Sequence, residues 1–181
     1  MKKNIIFLDI DGVLNSGKSF RKNQKLGVPQ SCIDLPYKDH VEALNMIIDR
    51  CDAYLVITST WRLYFSLRSL DKIFYLCGIR GDRIIDKTED LSMTDGDHGV
   101  KRSVEIEKYI KNNSDKIKNY VIIDDDCDAK IKNHFVKTEF HCGLNEGSAR
   151  LAIKILGDSE IGITQDFDSC NVGSTPAPPD N

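Results

Sequence analysis

No stretch of this 181-residue chain approaches the roughly 18 consecutive apolar residues that a membrane-spanning helix needs. Met-Lys-Lys-Asn at the start leads straight into a short apolar run rather than a signal-peptide core, so the expected location is cytoplasmic. Basic residues are not in excess. The 25 Lys and Arg stand against 28 Asp and Glu, a formal net charge of −3, and no global positive field advertises nucleic-acid binding. Local patches can still act. The 6 cysteines, Cys32, Cys51, Cys77, Cys127, Cys142 and Cys170, include no Cys-x-x-Cys pair, which argues against a zinc site or a disulfide framework. The 4 histidines, His40, His98, His134 and His141, lack metal-binding spacing, and among them His98 is a functional candidate because its loop adjoins a candidate site residue. There is no internal repeat, and the length suits one domain with a modest extra element.

What the chain does have is short apolar strands that stop on polar residues. Ile5 to Leu8 reads as a strand buried on both faces of a parallel sheet, and Asp9-Ile10-Asp11-Gly12 follows it at once. A side-chain period of two puts Asp9 and Asp11 on one side, and Gly12 allows a sharp turn or a close approach. Converging carboxylates repel, so either one takes up a proton or a cation joins them, and both outcomes serve an enzyme. A second strand, Ala53 to Ile57, ends in Thr58-Ser59-Thr60, where a hydroxyl and an adjacent backbone N–H can donate to a phosphoryl oxygen without adding charge. A third, Tyr120 to Ile123, ends in Asp124-Asp125-Asp126-Cys127-Asp128, whose crowded carboxylates call for a cation. Oxygen donors without His or Cys suit Mg²⁺.

The remaining patterns fill in an α/β architecture. Helices are expected over Asp39–Cys51, with Asp39 and Glu42 spaced as a capping box, and from Leu63 through Leu67, Leu70 and Phe74 to Cys77, ended by Gly78. Others are expected to open at Lys101-Arg102 and to span Ser148–Leu156. Arg83–Asp86 suggests a short edge strand, and Phe135–Phe140 a further strand. Residues 16–37 show little periodicity and read as a loop or small flap, carrying Lys18, Arg21, Lys22 and Lys25 and too short for a folded cap domain. The polar stretch 87–99 holds Asp95-Gly96-Asp97-His98-Gly99, which lacks the ligand spacing and terminal Glu of a calcium loop. Residues 158–181 are rich in Gly and Pro and are expected to form a disordered tail, so Asp166 and Asp168 receive no catalytic role. The expected division is a folded domain over 1–157, with the flap inside it, and the tail beyond.

Phe7 to Leu14, an apolar strand followed by Asp-x-Asp-Gly and an apolar pair, resembles the first motif of the haloacid dehalogenase superfamily. Thr58 after the second strand, Lys101 or Arg102 opening a helix, and Asp124-Asp125 after the last acidic strand are similar to its further motifs, in its order. The resemblance spans about residues 3–157 and implies a three-layer, Rossmann-like α/β fold with a central, mostly parallel sheet and a minimal cap. It also implies a Mg²⁺-dependent phosphomonoesterase. On that basis Asp9 is the nucleophile and Asp11 the general acid and base. Thr58, Ser59 and Lys101 or Arg102 hold the phosphate, Lys101 being preferred. Asp9, Asp11, Asp124 and Asp125 hold the metal, with Asp128 a weaker alternative to Asp125. Trp61-Arg62 is similar to a narrower branch, the phosphatase-like domains of multi-domain RNA repair proteins. Trp61 by itself reads as a core anchor rather than a base-stacking platform, and Arg62 as surface or phosphate-directed. The branch, the basic flap and the missing cap domain favour a nucleotide or nucleic-acid end, such as a 3′-phosphate. The alternatives are a sugar phosphate and a receiver-like signalling module, although receivers place the acidic pair before Thr and Lys. No membrane and no obligate protein partner are expected.

Overall fold

Along the first strand Ile5 and Phe7 point one way and Ile6 and Leu8 the other, and none is more than 2% exposed. A strand buried on both faces needs a layer of structure on each side. The computed structural model of the protein, which describes residues 1–26, 35–91 and 100–157, supplies both. Its strands are β1 (Lys3–Leu8), β2 (Ala53–Ile57), β3 (Ile84–Lys87), β4 (Ile117–Asp124) and β5 (Phe135–Lys137). They form a five-stranded sheet in the order β3-β2-β1-β4-β5, and every pairing is parallel.

The described helices are α1 (Gly17–Lys25), α2 (Lys38–Cys51), α3 (Trp61–Tyr64), α4 (Leu67–Leu76), α5 (Arg102–Asn112) and α6 (Glu146–Gly157). On one face Ile6 and Leu8 pack with Leu44, Ile47 and Ile48 of α2, Leu70 and Phe74 of α4, and Ala149 and Ala152 of α6. On the other, Ile5 and Phe7 meet Val56, Ile122 and Ile106 of α5, and the rings of Tyr109 and Tyr120 stand edge-on to Phe7 at 5.6 and 5.9 Å. This is the three-layer α/β fold. The chain winds outward from β1 through β2 to β3, then crosses back to β4 and β5. The strand order therefore reverses between β1 and β4, and ligands in such sheets bind outside the carboxyl ends of the strands at that point.

Several local expectations need correction. The flap is partly helical: α1 lies inside it, with Ser16 as N-cap and Ser19 completing a reciprocal capping box. Gly27 and Pro29 of the same stretch lie outside the described residues. Helix α2 has no side-chain cap, because it begins after Tyr37; Asp39 and Glu42 instead lie near Lys22 at 3.9 Å and Lys38 at 3.6 Å. The helix expected from Leu63 onward is two, broken where Phe65 is extended and Ser66 caps α4. Strand β5 ends at Lys137 rather than Phe140. No disulfide joins the described cysteines, Cys51, Cys77, Cys127 and Cys142, while Cys32 and Cys170 lie outside the described residues. So do Asp95 to Gly99, His98 included, and the whole stretch 158–181 with Asp166 and Asp168. Among the described residues no helix is long and apolar enough to cross a membrane.

Candidate active site

Each site residue read from the sequence sits where a strand stops or a helix starts. Asp9 follows β1 directly, its N–H donating to the Ile123 carbonyl at 3.0 Å, and Asp124 is the last residue of β4. Because Leu8 pairs with Ile123, the two acidic tips lie side by side. Carboxylate oxygens of Asp9, Asp124 and Asp125 all fall within 4.8 Å of one another. Burial, then the charge of Asp124, push the Asp9 carboxyl up to about 7 against the pull of Arg102. Burial likewise raises Asp124 to about 6 and raises Asp125. Such a cluster is costly when ionised and is relieved by a cation.

One cation is built in. Arg102, the first residue of α5, places Nη1 2.8 Å from Asp9 Oδ1 and 2.8 Å from Asp124 Oδ2. Burial opposes its charge, and Asp124 and Asp9 more than offset that, so its proton is held more tightly than in a free guanidinium. The preference for Lys101 is thereby reversed. Lys101 is the exposed N-cap of α5, and successive helical residues differ by about 100° in direction, so only one of the pair can face the strand tips. Asp128 stands aside from the trio, its Oδ2 accepting from the Arg102 N–H at 3.4 Å, whereas Asp125, its rival, lies within the trio.

Gly12 lets Asp125 come this close. Its φ is +82°, and a Cβ there would overlap the Asp125 carboxylate, so both backbone conformation and space require glycine. Asp11 was expected among the metal-binding carboxylates and is not in the trio. Its side chain is turned away, with Oδ1 accepting from Asn15 Nδ2 at 2.8 Å and Oδ2 from the Trp61 indole N–H at 3.0 Å. Trp61 does pack on the larger core, as expected, but its bond to Asp11 was not foreseen. Arg62 is neither on the surface nor directed at phosphate: it is buried, donates to the Thr58 carbonyl and pairs with Glu105 at 2.6 Å. The Thr58 N–H continues the sheet ladder to Leu8 at 3.0 Å, while its hydroxyl is buried without a hydrogen-bond partner among the described residues. Ser59 is buried beside it, its hydroxyl 3.4 Å from the Trp61 N–H.

The donor set suits a hard divalent ion. Asp9, Asp124 and Asp125 offer oxygen alone, close enough together to share one ion, and their raised proton affinities mark a place that needs positive charge. A parallel sheet with this strand order, carrying clustered aspartates and a cation at the ends of its two central strands, defines a haloacid dehalogenase-type domain. Residues 5–149 match the family described as the HAD domain in Swiss Army Knife RNA repair proteins, and the chain belongs to that family. Membership points to a hydrolase of phosphatase type. Curated proteins and solved structures yield no significant match.

Proposed function

We propose that the protein is a Mg²⁺-dependent phosphomonoesterase that works through an aspartyl-phosphate on Asp9 and acts on a nucleotide or nucleic-acid end, such as a 3′-phosphate. The observation that carries this reading is the convergence of Asp9, Asp124 and Asp125 with Arg102 at the β1–β4 edge. Asp9, Asp124 and Asp125 would hold the ion, which when bound supplies the charge that offsets both their repulsion and that of the phosphate.

The chain's own groups supply the rest. An ionised Asp9 oxygen attacks phosphorus, the ester P–O bond breaks, and the departing alkoxide takes a proton from Asp11. Asp11 then accepts a proton from the water that attacks the aspartyl-phosphate, which frees phosphate and restores Asp9. Asn15 and Trp61 hold the Asp11 carboxyl, and each of its oxygens keeps a second lone pair for the transferred proton. The unpartnered Thr58 hydroxyl would donate to a phosphoryl oxygen, with Ser59 next to it in the chain, and Arg102, held at Asp9 and Asp124, would add positive charge.

Support for the substrate class comes from the family and from α1, on which Lys18, Arg21, Lys22 and Lys25 are all exposed. The described part of the insert is one nine-residue helix with no folded cap, which suits a bulky substrate whose further phosphates meet those cations. The test compares 3′-phosphorylated oligonucleotides, nucleoside 3′- and 5′-monophosphates and sugar phosphates with Mg²⁺, for the wild type and for Asp9→Asn. The expected outcome is preference for an oligonucleotide or nucleotide and a loss on the order of 10³-fold or more in the variant. Near-normal turnover by Asp9→Asn contradicts the mechanism, and preference for sugar phosphates contradicts the substrate class.

A further inference from the structure

Arg62 and Glu105 are charged side chains only 6% and 5% exposed. Enclosed charges persist when they are paired and hydrogen-bonded, and here both terminal nitrogens of the guanidinium and both carboxylate oxygens are used, while Arg62 Nε is buried without a partner among the described residues. Arg62 Nη2 donates to Glu105 Oε2 at 2.6 Å, Arg62 Nη1 donates to the Thr58 carbonyl, and Glu105 Oε1 accepts the Leu91 N–H at 3.0 Å. The Arg62 carbonyl is held in turn by Lys87 Nζ at 2.6 Å. A contact needed only to join two layers is served as well by apolar side chains, which carry no desolvation cost. What distinguishes this pair is the identity of the segments it ties together. Thr58 follows β2 directly and carries the unpartnered buried hydroxyl. Glu105 lies on α5 one turn beyond Arg102, the residue that bridges Asp9 and Asp124.

We infer that the Arg62–Glu105 pair is a positioning strut that fixes Thr58 relative to Arg102, so that the two groups flanking the phosphate site are set as one unit. The pair does this in two ways. Arg62 pins the Thr58 main chain from behind, which sets where its hydroxyl and the adjoining Ser59 face. It also occupies Glu105, which stands at the i+3 position from Arg102, within reach of a guanidinium on the same helix face. A Glu105 without Arg62 would compete with Asp9 and Asp124 for Arg102 and draw it out of the site. Neither residue touches the substrate in this account; both act through Thr58 and Arg102. The kinetic part of the test rests on the phosphatase reading, and the structural part does not.

Arg62→Met alone would strand a buried carboxylate and risks unfolding, so the deciding variant is Arg62→Met/Glu105→Leu, which removes both charges and keeps the volume filled. With p-nitrophenyl phosphate and Mg²⁺, this variant is expected to melt within a few degrees of the wild type while kcat falls about 100-fold and KM changes much less. Adding Thr58→Ala to it should cost less than about threefold more, although Thr58→Ala in the wild type costs far more, because the strut acts through Thr58. Its crystal structure should show the Thr58–Ser59 main chain turned relative to Arg102, which has no freed Glu105 to draw it away from Asp9 and Asp124. The inference is overturned by a kcat within about threefold of the wild type, by full additivity with Thr58→Ala, or by a structure in which Thr58 keeps its place relative to Arg102. If the wild type itself turns over no phosphomonoester, the functional reading falls and the crystal structure alone decides the strut.

Discussion

Asp11 is held by two donors of different kinds, the buried amide of Asn15 and the indole of Trp61. An acid that must give up a proton and then take one back depends on staying aimed at the leaving oxygen. Trp61→Phe keeps an aromatic ring on the core and deletes the N–H, so it tests that aim directly. A hydrogen bond to a charged group is worth about 1.5–3 kcal/mol, so kcat/KM should fall by roughly 10–100-fold. Steady-state kinetics checks the fall, and a melting curve close to the wild type shows that the ring still packs. That Asp9, Thr58 and Asp124 come together was legible in the sequence because each stands at the end of an apolar strand, and strand ends in a parallel sheet gather at one edge. The bonds of Trp61 to Asp11 and of Arg62 to Glu105 were not, because those partners are 50 and 43 residues away and no local pattern records such a contact.

The helix α1 is almost wholly polar, with Phe20 its one large apolar residue, so apolar periodicity could not reveal it. It exists because its start is tied down. Gly17 and Lys18 donate their N–H groups to the carbonyls of Phe140 and His141, both at 3.0 Å, and Ser16 Oγ accepts from Ser19 N–H at 3.1 Å. His40 completes the anchor. The Leu144 carbonyl, 2.7 Å from His40 Nδ1, can only accept, so Nδ1 carries the proton and Nε2 accepts the Ser16 hydroxyl at 3.0 Å. Burial lowers the imidazole's proton affinity and keeps it neutral for that task. Ser16→Ala removes the cap and strands Nε2, at a cost of about 1–2 kcal/mol. Thermal unfolding should show Tm falling by roughly 2–8 °C; an unchanged Tm contradicts this account of the anchor. The signal missed in the sequence was Ser16-Gly17-Lys18-Ser19, a capping pair without the usual Glu. The break between α3 and α4 was hidden for the opposite reason. Leu63 and Leu67 are four apart, the spacing of one continuous helix, and Ser66, which caps the restarted helix by accepting from the Ser69 N–H, sits between them in plain view.

Across the whole molecule, the sheet was legible because β1, β2 and β4 are apolar on both faces, which only a three-layer parallel arrangement satisfies. Strand order was not legible from pattern, since nothing local tells β4 to pair with β1 rather than with β3. That order is what brings the acids together, and it has a thermodynamic consequence. Without an ion, Asp9 at about 7 and Asp124 at about 6 bind protons more tightly folded than unfolded, where the ordinary value is 3.8. Their protonated forms favour the fold, a contribution fully present below pH 3.8 and lost as pH rises through about 6 and 7. A bound divalent ion favours the ionised forms, so it should restore what the rising pH removes.

The most direct measurement of this central claim is therefore a set of thermal melts of the wild type and Asp124→Asn between pH 5 and pH 8, with and without Mg²⁺. Mg²⁺ should raise the wild-type Tm by an amount that is small at pH 5 and grows towards pH 8 as Asp124 and then Asp9 ionise, with the increment lost in the variant. A wild-type Tm that Mg²⁺ leaves unmoved at pH 8, or an increment that survives Asp124→Asn in full, would contradict it.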